Sequence, residues 1–155
     1  MTESCSRSFA AQLPSHFSVE AITNHQAPPA IQGPKDGEVA LPGVLKIISE
    51  SDFDAYVIAC FDDTGLADAR TLTQKPVIGI GQASFHLAAL SAGRFSVLTT
   101  LAASVPVIVN NIEAQGFASI CEGVYASGVP VLDLENMPDK ACKIVSTHLK
   151  KIAVQ

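Results

Sequence analysis

A cysteine stands where a buried strand is predicted to end and a helix to begin. Cys60 closes the apolar run 55–59, and residues 61–66 after it are Phe-Asp-Asp-Thr-Gly-Leu. This order predicts a strand, a short turn with Asp63 as the helix N-cap, and then a helix. Ligands of α/β enzymes bind beyond the carboxyl ends of parallel strands, so a thiol here lies where a substrate would bind. It could act as a base or a nucleophile through the few per cent of thiolate present near neutral pH.

Opposing influences act on the pKa of this thiol. A helix N-terminus lowers a cysteine pKa from its ordinary value of about 8.5, whereas the carboxylates of Asp62 and Asp63 would raise it if they lie close. The position alone therefore leaves two interpretations open. Cys60 is either a reactive thiol or a small apolar residue packed at the end of a strand.

Two further strand ends carry groups that could hold a substrate oxygen. A predicted strand ends in the hydroxyls of Thr99 and Thr100, which suit a carboxylate, imide or carbonyl oxygen. The simpler interpretation is strand propensity followed by a helix cap. Gly79 and Gly81 form a Gly-x-Gly turn without the third glycine of a dinucleotide site, so they predict a close approach of two backbone segments.

The other three cysteines, His86 and His148 are predicted to have structural and not chemical roles. Cys5, Cys121 and Cys142 form no Cys-x-x-Cys pair and have no histidine at ligand spacing, which predicts free thiols and no metal site. Cys121 and Cys142 are expected to pack, and Cys5 to be an ordinary helix residue. His86 is expected to be a satisfied helical histidine, and His148 a core or boundary residue of the last helix.

The composition excludes several classes of protein. Asp and Glu outnumber Lys and Arg by 15 to 10, while 48% of the 155 residues are apolar and 16% are charged. This balance argues against a disordered chain and against a basic nucleic-acid-binding protein. The longest apolar runs have the length of strands, so no membrane span is predicted. The first ten residues lack the apolar segment of a signal peptide, which predicts a cytoplasmic location.

The elements that must position these groups alternate between strands and helices, which predicts an α/β fold. Predicted strands cover residues 17–22, 55–60, 77–80, 95–99, 121–125 and 130–132, and predicted helices cover 65–72, 82–92, 105–115 and 138–153. Four prolines and three glycines between His25 and Gly43 predict a long irregular connection that folds over the ends of the strands. A new strand-helix series begins at Phe95, which predicts two domains, 1–93 and 94–155.

Four segments in chain order together carry a resemblance to a known family. They are Ala-Cys-Phe-Asp-Asp-Thr-Gly-Leu at 59–66, Pro-Val-Ile-Gly-Ile-Gly at 76–81, Arg-Phe-Ser-Val-Leu-Thr-Thr at 94–100 and Val-Pro-Val-Leu-Asp-Leu-Glu at 129–135. Their order and spacing resemble the hydantoin/allantoin racemase branch of the aspartate/glutamate racemase superfamily over nearly the whole chain. The resemblance implies two similar Rossmann-like domains with parallel sheets, an active site between them and no cofactor.

The resemblance also implies a two-base reaction on a small-molecule substrate. One thiolate removes the proton α to a carbonyl and a thiol on the opposite face returns one, because inversion needs an acid and a base on opposite sides of a planar carbanion. Cys60 matches the first of the two family cysteines. The substrate-binding positions that the resemblance implies are Asp62, Asp63, Gly81, Thr99 and Thr100.

Two features depart from the family pattern. The family begins with a strand ending in Asn-Pro-Asn-Thr, whereas Met1–Glu3 fall in the helix that should follow it. The second family cysteine lies in a Gly-Cys-Ala-Gly-like turn, which neither Cys121 nor Cys142 matches. We therefore expect both domains to be incomplete here, with the second acid/base residue beyond Gln155.

Three functions remain open on the sequence. The first is a racemase of 5-substituted hydantoins or allantoin. The second is an inactive or binding-only member of the same family, and the third is a single-cysteine decarboxylase or cis-trans isomerase. A homo-oligomer is expected, because a missing central strand exposes unpaired backbone and apolar helix faces.

Overall fold

The computed structural model describes residues 2–154; Met1, and with it part of the predicted N-terminal segment Met1–Glu3, lies outside the described residues, as does Gln155. The helices are α1 (Thr2–Ala10), α2 (Pro34–Glu50), α3 (Leu66–Leu72), α4 (Ile80–Ala92), α5 (Val105–Ala114), α6 (Asp133–Asn136) and α7 (Pro138–Ile152). The strands are β1 (Tyr56–Ile58), β2 (Val77–Gly79), β3 (Phe95–Thr99) and β4 (Cys121–Ala126), and a 3-10 helix covers Ala102–Ser104. None of the helices in this range has the length and apolar character needed to cross a membrane.

Parallel strand pairs form two small sheets. β1 pairs with β2, from Tyr56 beside Val77 to Ile58 beside Gly79. β3 pairs with β4 and ends with Thr99 beside Ala126. Because parallel strands run in one direction, the turns after β1 and β2 lie at the same edge of their sheet. The predicted α/β fold with parallel sheets is confirmed.

Two clusters of buried side chains lie on these sheets. The first core consists of Ile48, Tyr56, Ile58, Leu66, Ala69 and Val77. The second core consists of Phe85, Val97, Ile108 and Ile112. Gly93 separates the two sheets along the chain, yet Phe85 of α4 precedes it and packs in the second core. Helix α4 therefore leads from the first sheet into the core of the second.

Two predicted strands are wrong. Residues 17–22 are irregular, and Phe17 and Ile22 remain 56% and 39% exposed, because this segment pairs with no strand of the described chain. Residues 130–132 form a turn in which the Asp133 N–H donates to the Pro130 carbonyl at 3.0 Å. That turn leads directly into α6, so the apolar residues there start a helix instead of extending a sheet.

The irregular connection predicted for His25–Gly43 is wrong from Pro34 onward, where α2 begins. Pro34 lies in the first helical turn, which needs no N–H donor, so a proline is tolerated there. Pro42 lies within the helix, and burial of Ala40 and Gly43 on one face accompanies it. The Asn24 amide donates to the Ala40 carbonyl at 2.8 Å and packs directly on Gly43. Burial of this face outweighs the helix-breaking tendency that the composition suggested.

Candidate active site

Cys60 lies in a turn that is anchored in both cores. Its side chain is half-buried and packs against the first core. The next residue, Phe61, packs edge-to-face on Phe85 of the second core, with ring centroids 5.7 Å apart and an interplanar angle of 88°. The Asp63 N–H closes the turn on the Cys60 carbonyl at 3.0 Å. The sulfur is therefore carried by a backbone segment with little freedom to move.

The surroundings of the sulfur keep Cys60 largely protonated. Burial raises the pKa of Cys60 and is the largest influence on it, and the Asp62 carboxylate raises it further. The Thr64 hydroxyl, whose oxygen lies 3.5 Å from the sulfur, and the backbone N–H groups of Asp62 and Thr64 lower the pKa of Cys60. A thiol that keeps its proton, yet has donors ready for the thiolate, can both give and accept a proton.

The predicted N-cap role of Asp63 is wrong for α3 but has a counterpart at α4. Asp63 has a left-handed backbone (φ 51°), and Gly65 is the residue that precedes α3. The Asp63 carboxylate instead accepts the N–H groups of Gly81 and Gln82 at 2.9 and 2.7 Å, at the beginning of α4. Burial raises the pKa of Asp63, whereas these two donors and the charge of Arg70 lower it. Asp63 thus joins the Cys60 turn to the helix that follows β2.

Gly79 and Gly81 allow this contact. The close backbone approach predicted for the pair is confirmed at Gly81, whereas Gly79 is approached by side chains. A Cβ at Gly79 would collide with the Asp63 carboxylate, and a Cβ at Gly81 would collide with the Phe61 carbonyl oxygen. The Asp63 carboxylate and the Gly81 N–H, two groups predicted to bind substrate, are bonded to each other in this structure.

Asp62 ties the Cys60 turn to the second half of the chain. Its Oδ2 accepts a hydrogen bond from the Ser104 hydroxyl at 2.9 Å, and its carbonyl oxygen accepts one from Asn111 Nδ2 at 2.9 Å. Burial raises the pKa of Asp62, and the Ser104 hydroxyl lowers it. Sequence reasoning missed Ser104 and Asn111, because neither belongs to a motif and their partner lies 42 and 49 residues away.

β3 ends at Thr99, and Thr100 follows it, a few residues before Ser104. Their carbonyl oxygens accept the N–H groups of Ser127 and Gly128 at 2.9 and 2.8 Å. Their half-buried side-chain hydroxyls form no hydrogen bond with any residue in the range 2–154. Because Ser104 is bonded to Asp62, this strand end and the Cys60 turn belong to one connected region with two hydroxyls available to a ligand.

The beginning of α2 forms a further side of this region. Gly33 has φ 135° and lies against Ala103, where an added Cβ would be 2.9 Å from the alanine Cβ. A Cβ on Gly37 would lie 3.7 Å from the Thr64 hydroxyl oxygen, which itself contacts Cys60. The start of α2, the turn after β1 and the turn after β3 therefore surround the candidate site. The sequence predicted that residues 25–43 fold over the ends of the strands, but as an irregular connection and not as the start of a helix.

The remaining histidines and cysteines lie elsewhere. His86 and His148 each contact the backbone carbonyl four residues earlier through Nδ1. His86 is thus the satisfied helical histidine that was predicted, and His148 is half-buried on α7, as predicted for a boundary residue. Cys121 packs against the second core as predicted, whereas Cys142 is exposed on α7, so the packing role predicted for it is wrong. Residues 2–154 contain no group of three or more His, Cys, Asp or Glu side chains able to hold a metal ion.

Asp63→Asn tests the link between the Cys60 turn and α4. We expect the free energy of unfolding to fall by about 2 kcal/mol, because the amide replaces one of two acceptors with a donor and removes a charge favoured at a helix N-terminus. Asparagine tolerates the left-handed backbone, so the loss reports on the carboxylate. Urea unfolding measures it, with the exposed Asp54→Asn as a control that should change nothing. Equal stabilities of the two variants would show that the Asp63 carboxylate does not stabilise the beginning of α4.

The comparisons with known proteins agree with the α/β fold described above. The sequence matches the Asp/Glu/Hydantoin racemase family over residues 1–155. It is 41% identical over 142 residues to a hydantoin racemase of Rhizobium meliloti. The aligned region covers 90% of this chain and 58% of that protein. It is 30% identical over 154 residues to a hydantoin racemase of Pseudomonas sp. (strain NS671), which covers 97% of this chain and 62% of that protein.

Solved structures give the same result. An allantoin racemase from Klebsiella pneumoniae superposes with a TM-score of 0.94 at 33% identity, covering 99% of this chain and 64% of that one. An allantoin racemase from Pseudomonas fluorescens superposes with a TM-score of 0.90 at 26% identity. The match covers 95% of this chain and 63% of that one. The chain belongs to the Asp/Glu/hydantoin racemase family, and the predicted resemblance is confirmed. It spans 58% and 62% of the lengths of the two curated relatives described above.

Proposed function

We propose that this chain carries one acid/base residue of a cofactor-independent racemase of 5-substituted hydantoins or allantoin, and that this residue is Cys60. The names of its relatives, hydantoin racemases and allantoin racemases, support this class of substrate. The observation that carries the proposal is the place of Cys60. Its half-buried side chain packs on the first core while its neighbour Phe61 packs on the second. The turn that carries it is linked through Asp62 and Ser104 to the region of a strand end with two available hydroxyls.

The proposed chemistry is a proton exchange at the carbon next to a carbonyl. The Cys60 thiolate takes the proton, and the electrons of the broken C–H bond move onto the carbonyl oxygen to give an enolate. The hydroxyls of Thr99 and Thr100 are suited to donate hydrogen bonds to that oxygen as its charge develops. A thiol on the opposite face then protonates the carbon. Neither Cys121 nor Cys142 is assigned this second role, because neither matches the Gly-Cys-Ala-Gly-like turn of the family.

Asp63 and Gly81 take a positioning role in the proposal. Their mutual hydrogen bond, and the contact between Gly81 and the Phe61 carbonyl, support the backbone on which Cys60 sits. Thr99 and Thr100 keep the substrate-binding role predicted for them.

The proposed function also includes a binding partner, a cellular location and an oligomeric state. Its partner is a small-molecule substrate, and we place the protein in the cytoplasm as a homo-oligomer. Self-association is supported by apolar side chains that the described residues leave uncovered on α4, where Leu87 and Leu90 are 66% and 86% exposed.

The test is a solvent-exchange assay on the natural protein that contains residues 1–155. Single enantiomers of a 5-substituted hydantoin and of allantoin are incubated in D2O, and optical rotation and deuterium at the stereocentre are followed against a protein-free blank. We expect racemisation above the blank, with deuterium entering the inverted product. Binding without exchange, release of carbon dioxide, or cis-trans isomerisation of an alkene would each overturn the proposal.

The pKa of Cys60 predicts how the rate depends on pH. Because burial raises this pKa, the thiolate fraction at neutral pH is smaller than for an exposed cysteine, and it grows about tenfold per pH unit until the pKa is reached. We expect kcat/KM to rise with pH through neutrality, with the midpoint of the rising limb above about 8.5. A rising limb that levels off below that value would show that the thiolate is stabilised and would contradict the prediction.

A further inference from the structure

Asp62, two residues after Cys60, is held at its carboxylate and at its carbonyl oxygen. Its carboxylate accepts the Ser104 hydroxyl at 2.9 Å, and its carbonyl accepts Asn111 Nδ2 at 2.9 Å. Burial raises the pKa of Cys60, and hydrogen bonding from the Asp62 backbone N–H is among the influences that lower it. The two hydrogen bonds fix the position of the residue whose N–H acts on the sulfur.

Ser104 and Asn111 are well placed to act as supports. Ser104 is only 3% exposed, so its bond to the carboxylate is shielded from water and strengthened by charge. Asn111 lies on α5, between Ile108 and Ile112, which are 0% and 2% exposed and anchor this helix in the second core. Both supports therefore belong to well-packed parts of the structure.

We propose that Ser104 and Asn111 are positioning residues for the proton transfer of Cys60, acting through Asp62. The inference rests on the function proposed above. Asn111 holds Asp62 so that its N–H stays directed at the sulfur, where it stabilises the thiolate. Ser104 holds the Asp62 carboxylate toward the 3-10 helix, which matters because the negative charge of Asp62 disfavours the thiolate. The neighbouring carboxylate, Asp63, is bonded to the start of α4 and faces the charge of Arg70.

The reactivity of the Cys60 thiol tests this role without depending on turnover. The natural protein is alkylated with iodoacetamide over a neutral-to-alkaline pH series, and mass spectrometry of the Cys60 peptide separates it from the other three cysteines. We expect Asn111→Ala to slow alkylation of Cys60 about fivefold at neutral pH, the factor expected for the loss of one hydrogen bond. The pH profile of alkylation should also move to higher pH. We expect kcat to fall by a similar factor while KM stays unchanged. Asn110→Ala, an exposed neighbour on the same helix, is the matched control and should leave both unchanged.

A pair of variants at Ser104 isolates its hydroxyl. Threonine and valine have the same shape, but only threonine keeps a hydroxyl that can donate to Asp62. Ser104→Thr should therefore keep the wild-type alkylation profile, whereas Ser104→Val should move it to higher pH. The proposal is overturned if Asn111→Ala leaves Cys60 alkylation and kcat at wild-type values, even if the thermal unfolding midpoint falls. A shifted alkylation profile in a protein that racemises no hydantoin or allantoin would support the positioning role and refute the proposed function.

Discussion

Cys60→Ala is expected to lower the rate of racemisation by about 10³-fold, because in the proposed reaction it removes the group that exchanges the proton on one face of the substrate. The loss should be enantiomer-specific when followed by deuterium exchange. Exchange into the enantiomer whose proton faces Cys60 should stop, whereas exchange into the other enantiomer should continue through the opposing base. This pattern would separate a catalytic thiol from a merely structural one, since a collapsed site would lose both exchanges.

Two variants serve as controls for this experiment. Cys60→Ser keeps the size of the side chain and its place beside the Thr64 hydroxyl, but its hydroxyl has a far higher pKa than a thiol, so we expect a loss as large as with alanine. Cys142→Ala removes an exposed thiol on α7 and should leave the rate unchanged. A Cys60→Ala enzyme that racemises at the wild-type rate would remove Cys60 from the mechanism.

Gly81→Ala is expected to destabilise the fold and to disturb the site at the same time. The added Cβ collides with the carbonyl oxygen of Phe61, which follows Cys60 directly, and presses on the Asp63 carboxylate. Overpacking of this kind costs about 2–3 kcal/mol of unfolding free energy. Because a displacement of about 1 Å at a reacting group can cost 10²-fold in rate, we also expect kcat to fall by about that factor.

Gly37→Ala is the matched control for this glycine. Gly37 also lies in a helix next to the Cys60 turn, but its added Cβ would be 3.7 Å from the Thr64 hydroxyl, an ordinary contact distance. Alanine favours a helix over glycine by up to about 1 kcal/mol, so this variant should be as stable as the wild type or slightly more stable. Urea unfolding of both variants checks the pair. Equal stability of Gly81→Ala and Gly37→Ala would contradict the packing role of Gly81.

Local sequence patterns predicted the parts of the fold in which neighbouring residues decide the structure. The apolar runs before Cys60 and around Val97 became strands, and the stripe of α5 buried Ile108 and Ile112 as its helical spacing requires. The Gly-x-Gly at residues 79–81 predicted a close backbone approach, because glycine has no Cβ and leaves room for another segment at a strand-to-helix turn. These elements follow from side-chain size and spacing along the chain.

Patterns failed where a distant contact outweighed the local preference. Prolines and glycines predicted an irregular segment at residues 34–43, yet α2 forms because it buries Ala40 and Gly43, and Asn24 from a separate segment supports that face. Residues 17–22 have the composition of a strand, but a strand requires a partner, and the described chain gives this segment none. Propensity describes a residue by itself, whereas pairing and burial depend on what lies next to it in space.

The candidate site divides in the same way. The sequence by itself determined the family, the acidic α/β character and the position of Cys60 at the end of a strand, because these depend on residue types and their order. Only the tertiary structure decided that Asp63 caps α4 instead of α3, that Gly81 supports the Cys60 turn, and that Ser104 and Asn111 hold Asp62. Those contacts join residues 18 to 49 positions apart, and no local pattern specifies a hydrogen bond whose partner is brought close only by the packing of the two cores.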